Sequence, residues 1–142
     1  MNVASYIKRG GKYAVDFVFA ALFPAAALVY VFYYAHYLLN IPPLFLALIL
    51  LASQWLSFTI INTLWMFTSN GRTLGSHIFG VRIVRQNFKR LSFGDCFARN
   101  IGEGLIIMMI VNWIYMIAVG TEKSIFDRIT NTVIVDWRNR TI

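Results

Sequence analysis

Residues 44–68 read LFLALILLASQWLSFTIINTLWMFT, twenty-five positions without a charged side chain. A bilayer core of about 30 Å takes about 20 apolar residues of helix to cross. A run this long and apolar is read as a membrane-spanning helix, so lipid becomes the solvent against which the rest of the chain is judged. Composition agrees: 58% of the 142 residues are hydrophobic, above the usual range for a soluble domain. Most charges lie outside the apolar runs, as the cost of an unpaired charge in lipid requires.

Upstream, a segment carrying Lys8, Arg9 and Lys12 leads into an apolar run from Tyr13 to Leu39 interrupted only by Asp16, Pro24 and His36. A basic start before an apolar run, with Ala25-Ala26-Ala27 within it, resembles a signal peptide. The run continues far past the ~7–15 residues of a signal core, which favours an uncleaved first span. Tyr30-Val31-Phe32-Tyr33-Tyr34 and Tyr37, with His36, form an aromatic belt for the far interface. Asn40-Ile41-Pro42-Pro43 is a short turn without Lys or Arg, because proline ends one helix and can start the next. The two runs therefore form a tight helical hairpin. Basic residues gather before the first span and again at Arg72, Arg82, Arg85, Lys89 and Arg90, which puts the N-terminus and this loop in the cytoplasm.

A third helical stretch covers 92–119. Ser92 is an N-cap candidate, with Asp95 in the first turn. Gly94, Ala98 and Gly102 recur every four residues, a spacing that lets helices approach closely in lipid. Residues 71–86 and 122–137 echo each other: a polar, basic start, a short apolar element, then a β-branched run. Val81–Val84 and Thr132–Val135 have strand propensity, and their pairing needs both on the same side of the membrane. A simple third span would place the tail, with Lys123, Arg128, Arg138 and Arg140, outside, against the positive-inside rule. A bend near Gly102–Gly104 or at Asn112-Trp113 satisfies both demands by making 92–119 a re-entrant hairpin; a single kinked span is the alternative. The fold class expected is an all-α membrane protein in one domain, 1–142. It consists of a two-span hairpin (13–39 and 44–68), a third helix (92–119), broken or kinked, and two short strands at the membrane face.

These landmarks resemble the RDD family of small bacterial membrane proteins, named for an Arg and two Asp residues. Arg9 with Asp16 seven residues on, Gly71-Arg72-Thr73-Leu74-Gly75 with Gly80–Val84, Ser92-Phe93-Gly94 with Arg99-Asn100, and Asp127-Arg128 with Thr132–Val135 follow the family's motifs in order along nearly the whole chain. Ser76 stands where the pattern has Lys, Phe126 where His or Gly is common, and Asn131 where Gly is usual, although Asn also tolerates the left-handed conformation. The resemblance implies a multi-pass protein of the bacterial inner membrane. It implies architecture more than activity, since some members have been proposed as cation/proton antiporters and others accompany larger membrane assemblies.

The residues with chemistry to offer are Arg9, Asp16, Arg99, Glu103 and Asp127, expected as a polar cluster at the cytoplasmic face. Asp16 shares a helix face with Lys12 and Arg9; it is either an acid that binds a cation or proton, or a carboxylate neutralised by its own helix. Arg99 and Glu103 are an i, i+4 pair, read as self-contained, as Arg99 bridging to Asp16, or as functional. Ser53, Gln54, Ser57, Thr59, Asn62 and Thr63 either line a path or make interhelical hydrogen bonds. The net charge of +7 is assigned to cytoplasmic loops and not to nucleic acid, because no basic stripe interleaves with aromatics on a soluble element. Cys96 has no partner for a disulfide, and His36 and His77 lack metal-ligand spacing. With no catalytic constellation, no enzyme and no cofactor are expected. The expected partners are the lipid bilayer and either further copies of the chain or a larger membrane protein. Two functions follow: an accessory or structural subunit of a membrane assembly, or an oligomeric cation/proton transporter.

Overall fold

A computed structural model describes residues 2–87 and 89–137, with the side chains at 28, 31, 32, 35, 36, 38 and 39 outside the description. Val31, Phe32 and His36 of the expected aromatic belt fall among these. The elements in order are α1 (Tyr6–Leu39), α2 (Pro43–Thr68), α3 (Leu74–Phe79), β1 (Val81–Arg85), α4 (Phe93–Glu103), α5 (Ile106–Val119), α6 (Ile125–Ile129) and β2 (Thr132–Asp136).

Helix α1 begins at Tyr6, seven residues before the expected boundary, so Arg9 and Lys12 are helical and share a face with Asp16. Asn40, at φ 51°, and the two prolines turn the chain back, and α2 starts with Pro43 at its first position. Pro24 lies inside α1. A proline has no N–H to give to the carbonyl four residues earlier, and here Ser57 of α2 donates its hydroxyl to that carbonyl, on Ala20, at 3.0 Å. Gln54 Nε2 likewise donates to the Phe17 carbonyl at 3.2 Å. The polar residues of α2 thus serve helix contacts: Thr59 donates to Trp55 of its own helix, and Thr63 accepts from Asn100 of α4.

Among the described residues α2 is the one helix that is long and apolar enough by itself to cross a membrane. The stretch 92–119 is broken, at the first of the two expected positions. Helices α4 and α5 meet at Gly104-Leu105 with a 93° bend. A Cβ on Gly104 would lie 2.9 Å from the Trp55 ring and 3.1 Å from Phe58, so the bend sits tight against the middle of α2. From the Phe67–Phe93 ring contact upward, α4 climbs along α2, and Trp55 Nε1 donates to the Ile101 carbonyl at 2.8 Å. Helix α5 then returns beside α1: Ile106 shares an apolar cleft with Phe17 and Val18, Trp113 packs on Gly10, and Tyr6 donates its hydroxyl to the Thr121 carbonyl at 3.1 Å. Fourteen residues of α5 measure about 21 Å, short of the ~30 Å hydrocarbon core.

Strands β1 and β2 pair antiparallel, Val81 opposite Asp136 and Arg85 opposite Thr132. The N-terminal segment adds to the other edge of β2 through a Val3–Val135 bridge and the Ala4 N–H to Ile134 carbonyl bond. The start of α1, the loop after α2 and the segment after α5 therefore meet at one end of the helices. Buried Val81, Ile83, Ile134, Leu91, Cys96 and Met66 pack there as the core. The expected small-residue face of α4 divides: Gly102 admits Phe126, whose ring would lie 2.1 Å from an added Cβ, whereas Gly94 and Ala98 line an open polar cleft. The reason is that α4 turns its other face, with Cys96 and Asn100, to α2.

Cysteines placed at Asn87 and at Lys123, in a Cys96→Ser background, are expected to react from the same side of the membrane with an impermeant thiol reagent. Reaction from opposite sides would make 92–119 a single crossing.

Candidate functional site

The apolar face of α1 gives way at its first turns to Arg9, Lys12, Tyr13 and Asp16, all buried. Lys12 and Asp16 pair within α1, and the other partners come from α3, α4 and α6. Asp16 lies one turn above Lys12, which pairs with it at 3.1 Å. Its carboxylate also accepts from Thr73 Oγ1 at 2.7 Å and from the Gly75 N–H at 2.7 Å. Those donors come from the start of α3, where Thr73 is the N-cap and accepts from the Ser76 N–H. The turn that aims α3 at α1 needs Gly71 at φ 89°, and a Cβ on Gly75 would come within 2.2 Å of the Lys12 carbonyl oxygen.

Asp127 is held in the same manner at the other end. Ser124 caps α6, accepting from the Asp127 N–H at 2.9 Å while its own N–H donates to the Asp127 carboxylate at 3.0 Å. This reciprocal box fixes the carboxylate. Arg9 Nη1 binds one oxygen at 2.7 Å and Arg99 Nη1 the other at 2.5 Å. Burial works to raise the Asp127 pKa, but Arg99, Arg9 and the Ser124 N–H outweigh it and hold the carboxyl below the usual carboxylate value.

Arg99 joins the halves. Its Nη2 pairs with Glu103 at 2.8 Å, one turn on, and its Nη1 also donates to Thr132 Oγ1 at 2.6 Å. Tyr13 donates its hydroxyl to Glu103, whose second oxygen lies 3.9 Å from Lys12 Nζ. The structure thus brings Arg9, Asp16, Arg99, Glu103 and Asp127 into one connected network. The bridge from Arg99 to Asp16 does not exist: Arg99 is committed to Asp127 and Glu103, and Asp16 is served by Lys12 and α3. Tyr13, Thr73 and Thr132 are members that the sequence reading left out, and Lys12 entered it only as a neighbour of Asp16 on the helix face. The Ser124–Asp127 capping pattern was a usable signal not taken up; the contacts of Tyr13 and Thr132 depend on how distant elements dock.

With three cations and three carboxylates the network is neutral. Some polar atoms in it keep capacity, among them Glu103 Oε2 and Arg99 Nε, which are buried without a hydrogen-bond partner. Among the described residues no group of three or more His, Cys, Asp or Glu side chains could hold a metal ion. His77 is exposed in the last turn of α3, and Cys96 is a buried free thiol.

Removing one member of a buried pair typically costs about 3–5 kcal/mol, and Asp127→Asn leaves Arg9 without an ion-pair partner and Arg99 with Glu103 alone. The folded pKa of Asp127 lies below its unfolded value of about 3.9. Its stabilisation is therefore complete above that value and lost as pH falls through the folded one. Thermal unfolding in detergent should place Asp127→Asn well below wild type at pH 7, with the gap closing below about pH 4. Gly75→Val should destabilise by at least about 1–3 kcal/mol, measured in the same way, because α3 can no longer reach Lys12.

A family model described as the RDD family matches residues 3–131. No curated protein and no solved structure matches the chain.

Proposed function

Because the chain belongs to the RDD family, a membrane-associated family, we propose that it is a multi-pass protein of the bacterial inner membrane, with a cytoplasmic N-terminus, that acts as an accessory or structural subunit of a larger membrane assembly. In this reading α1 and α2 cross the bilayer, and α4–α5 enters it from the cytoplasmic side and returns. The observation that carries the reading is the network's closure: each charged member is paired with a residue of opposite charge inside the protein. Such an arrangement locks the cytoplasmic elements onto the helices and spends its charges on structure. The outer halves of α1 and α2 enclose an apolar groove of about 680 Å³ lined by Ala21, Ala25, Leu50 and Leu51 among others. Small side chains there leave room for a neighbouring helix. The reading assigns no catalysis, and its partners are lipid and protein, without nucleic acid.

A second reading, an oligomeric cation/proton transporter, is favoured by one atom. Glu103 Oε2 is buried, lacks a hydrogen bond and faces Lys12 at 3.9 Å, which leaves a carboxylate oxygen with capacity for a proton or cation. Transport would require self-association, since few spans seldom enclose a path.

Purification in mild detergent with mass determination separates the two. A stoichiometric larger membrane protein is the expected co-purifying species. A homo-oligomer that gives sodium-dependent proton flux in liposomes, abolished by Glu103→Gln at unchanged protein abundance, would replace the accessory role by transport.

A further inference from the structure

Arg99 is bonded to two carboxylates at once, at 2.5 Å to Asp127 and 2.8 Å to Glu103. Lys12 also stands between two, but unequally. Its Nζ is 3.1 Å from Asp16 Oδ2 and 3.9 Å from Glu103 Oε2, and all three side chains are buried. The nearer distance is that of a hydrogen bond and the farther one is not.

The supply of other donors runs the opposite way. Asp16 is served without Lys12: Oδ2 accepts from Thr73 Oγ1 and Oδ1 from the Gly75 N–H, both at 2.7 Å. Glu103 Oε1 accepts from Tyr13 and Arg99, but Oε2 is buried without a hydrogen bond. A buried carboxylate oxygen with no donor is costly. The ammonium is a compact charge with three donors on a flexible four-carbon stem, and a shift of about 1 Å brings it within bonding distance of Oε2. Tyr13 joins the two ends of this path: its ring takes the ammonium on its face, 4.3 Å from Nζ to the centre, and its hydroxyl is bonded to Glu103. So short a shift also keeps the ammonium in the field of Asp16.

We propose that Lys12 is a latch with two stations, Asp16 and Glu103. At Asp16 it pairs within its own helix. At Glu103, the last residue of α4, it ties α1 to the helix end that adjoins the Gly104 bend. Passage between the stations changes the hold of α1 on the bent pair α4–α5, while Thr73 and Gly75 keep α3 on Asp16 throughout. The latch goes beyond both functional readings and requires neither.

The test is the sign of Lys12→Met, which keeps an unbranched stem and loses the charge, read as thermal unfolding of the full chain in detergent. In an Asp16→Asn background Lys12→Met should still lower the unfolding temperature by several degrees, because the ammonium has passed to Glu103. In an Asp16→Asn/Glu103→Gln background it should raise it, because a buried cation without either carboxylate is removed. An unchanged or raised unfolding temperature in the Asp16→Asn background would make Asp16 the sole partner and overturn the latch. So would a lowered one in the doubly substituted background, which would make the loss one of packing. If Asp16→Asn does not fold, nuclear magnetic resonance of the wild type decides. A scalar coupling across the hydrogen bond from Lys12 Nζ to Glu103 Cδ is expected, and coupling to Asp16 Cγ alone would overturn the latch.

Discussion

The fold depends on the Asp127 carboxylate, which is shared between two arginines far apart in the sequence. Arg9 comes from α1 and Arg99 from α4, and the carboxylate that receives both is oriented by the cap of α6. A charge so deeply buried is tolerable only when its partners are close and its remaining lone pairs are used. Satisfying Asp127 therefore fixes the relative position of three elements at once. Asp16 repeats the device between α1 and α3, and Arg99 with Glu103 and Tyr13 links the two centres.

This arrangement explains why the helices can be apolar nearly throughout. In lipid there is little hydrophobic gain from pressing one apolar helix on another, so association relies on close packing and polar contacts. Here α1 and α2 are joined by Ser57 and Gln54 reaching the carbonyls of Ala20 and Phe17. One of those carbonyls is free because Pro24 cannot bond it. A helix interruption in one element is thus answered by a hydroxyl in the next.

Much of this was legible in the sequence, for reasons that differ by element. The α1–α2 connection could be read from Asn40-Ile41-Pro42-Pro43, since proline and a left-handed Asn act locally. The strands could be read from Val81–Val84 and Thr132–Val135, since β-branched runs are a local preference and their charge context placed them on one side. The break in 92–119 could be inferred from charge, but its position at Gly104 rather than Asn112 could not. That position is set by Trp55 and Phe58 of another helix, while Asn112 is occupied as an acceptor for the Ile125 N–H. The site was legible as a list of charged residues and not as a wiring diagram. Lys12 with Asp16 follows from helix spacing, whereas Thr73 and Gly75 reach Asp16 only because α3 docks across fifty-seven and fifty-nine residues of sequence separation.

The sequence distance between Arg9 and Asp127 carries a consequence for how the protein is made. Chains are synthesised from the N-terminus, and distant contacts must wait for both partners. Arg9 emerges 118 residues before the carboxylate that neutralises it, and Arg99 emerges 28 residues before. During translation α1 and α2 are therefore complete while Arg9 is still unanswered, and until residue 127 follows, that cation needs water around it. Helix α6 answers Arg9, and β2 pairs with β1 and the N-terminal segment later still. A chain halted before residue 127 therefore holds Arg9 without its carboxylate and Arg99 with Glu103 alone.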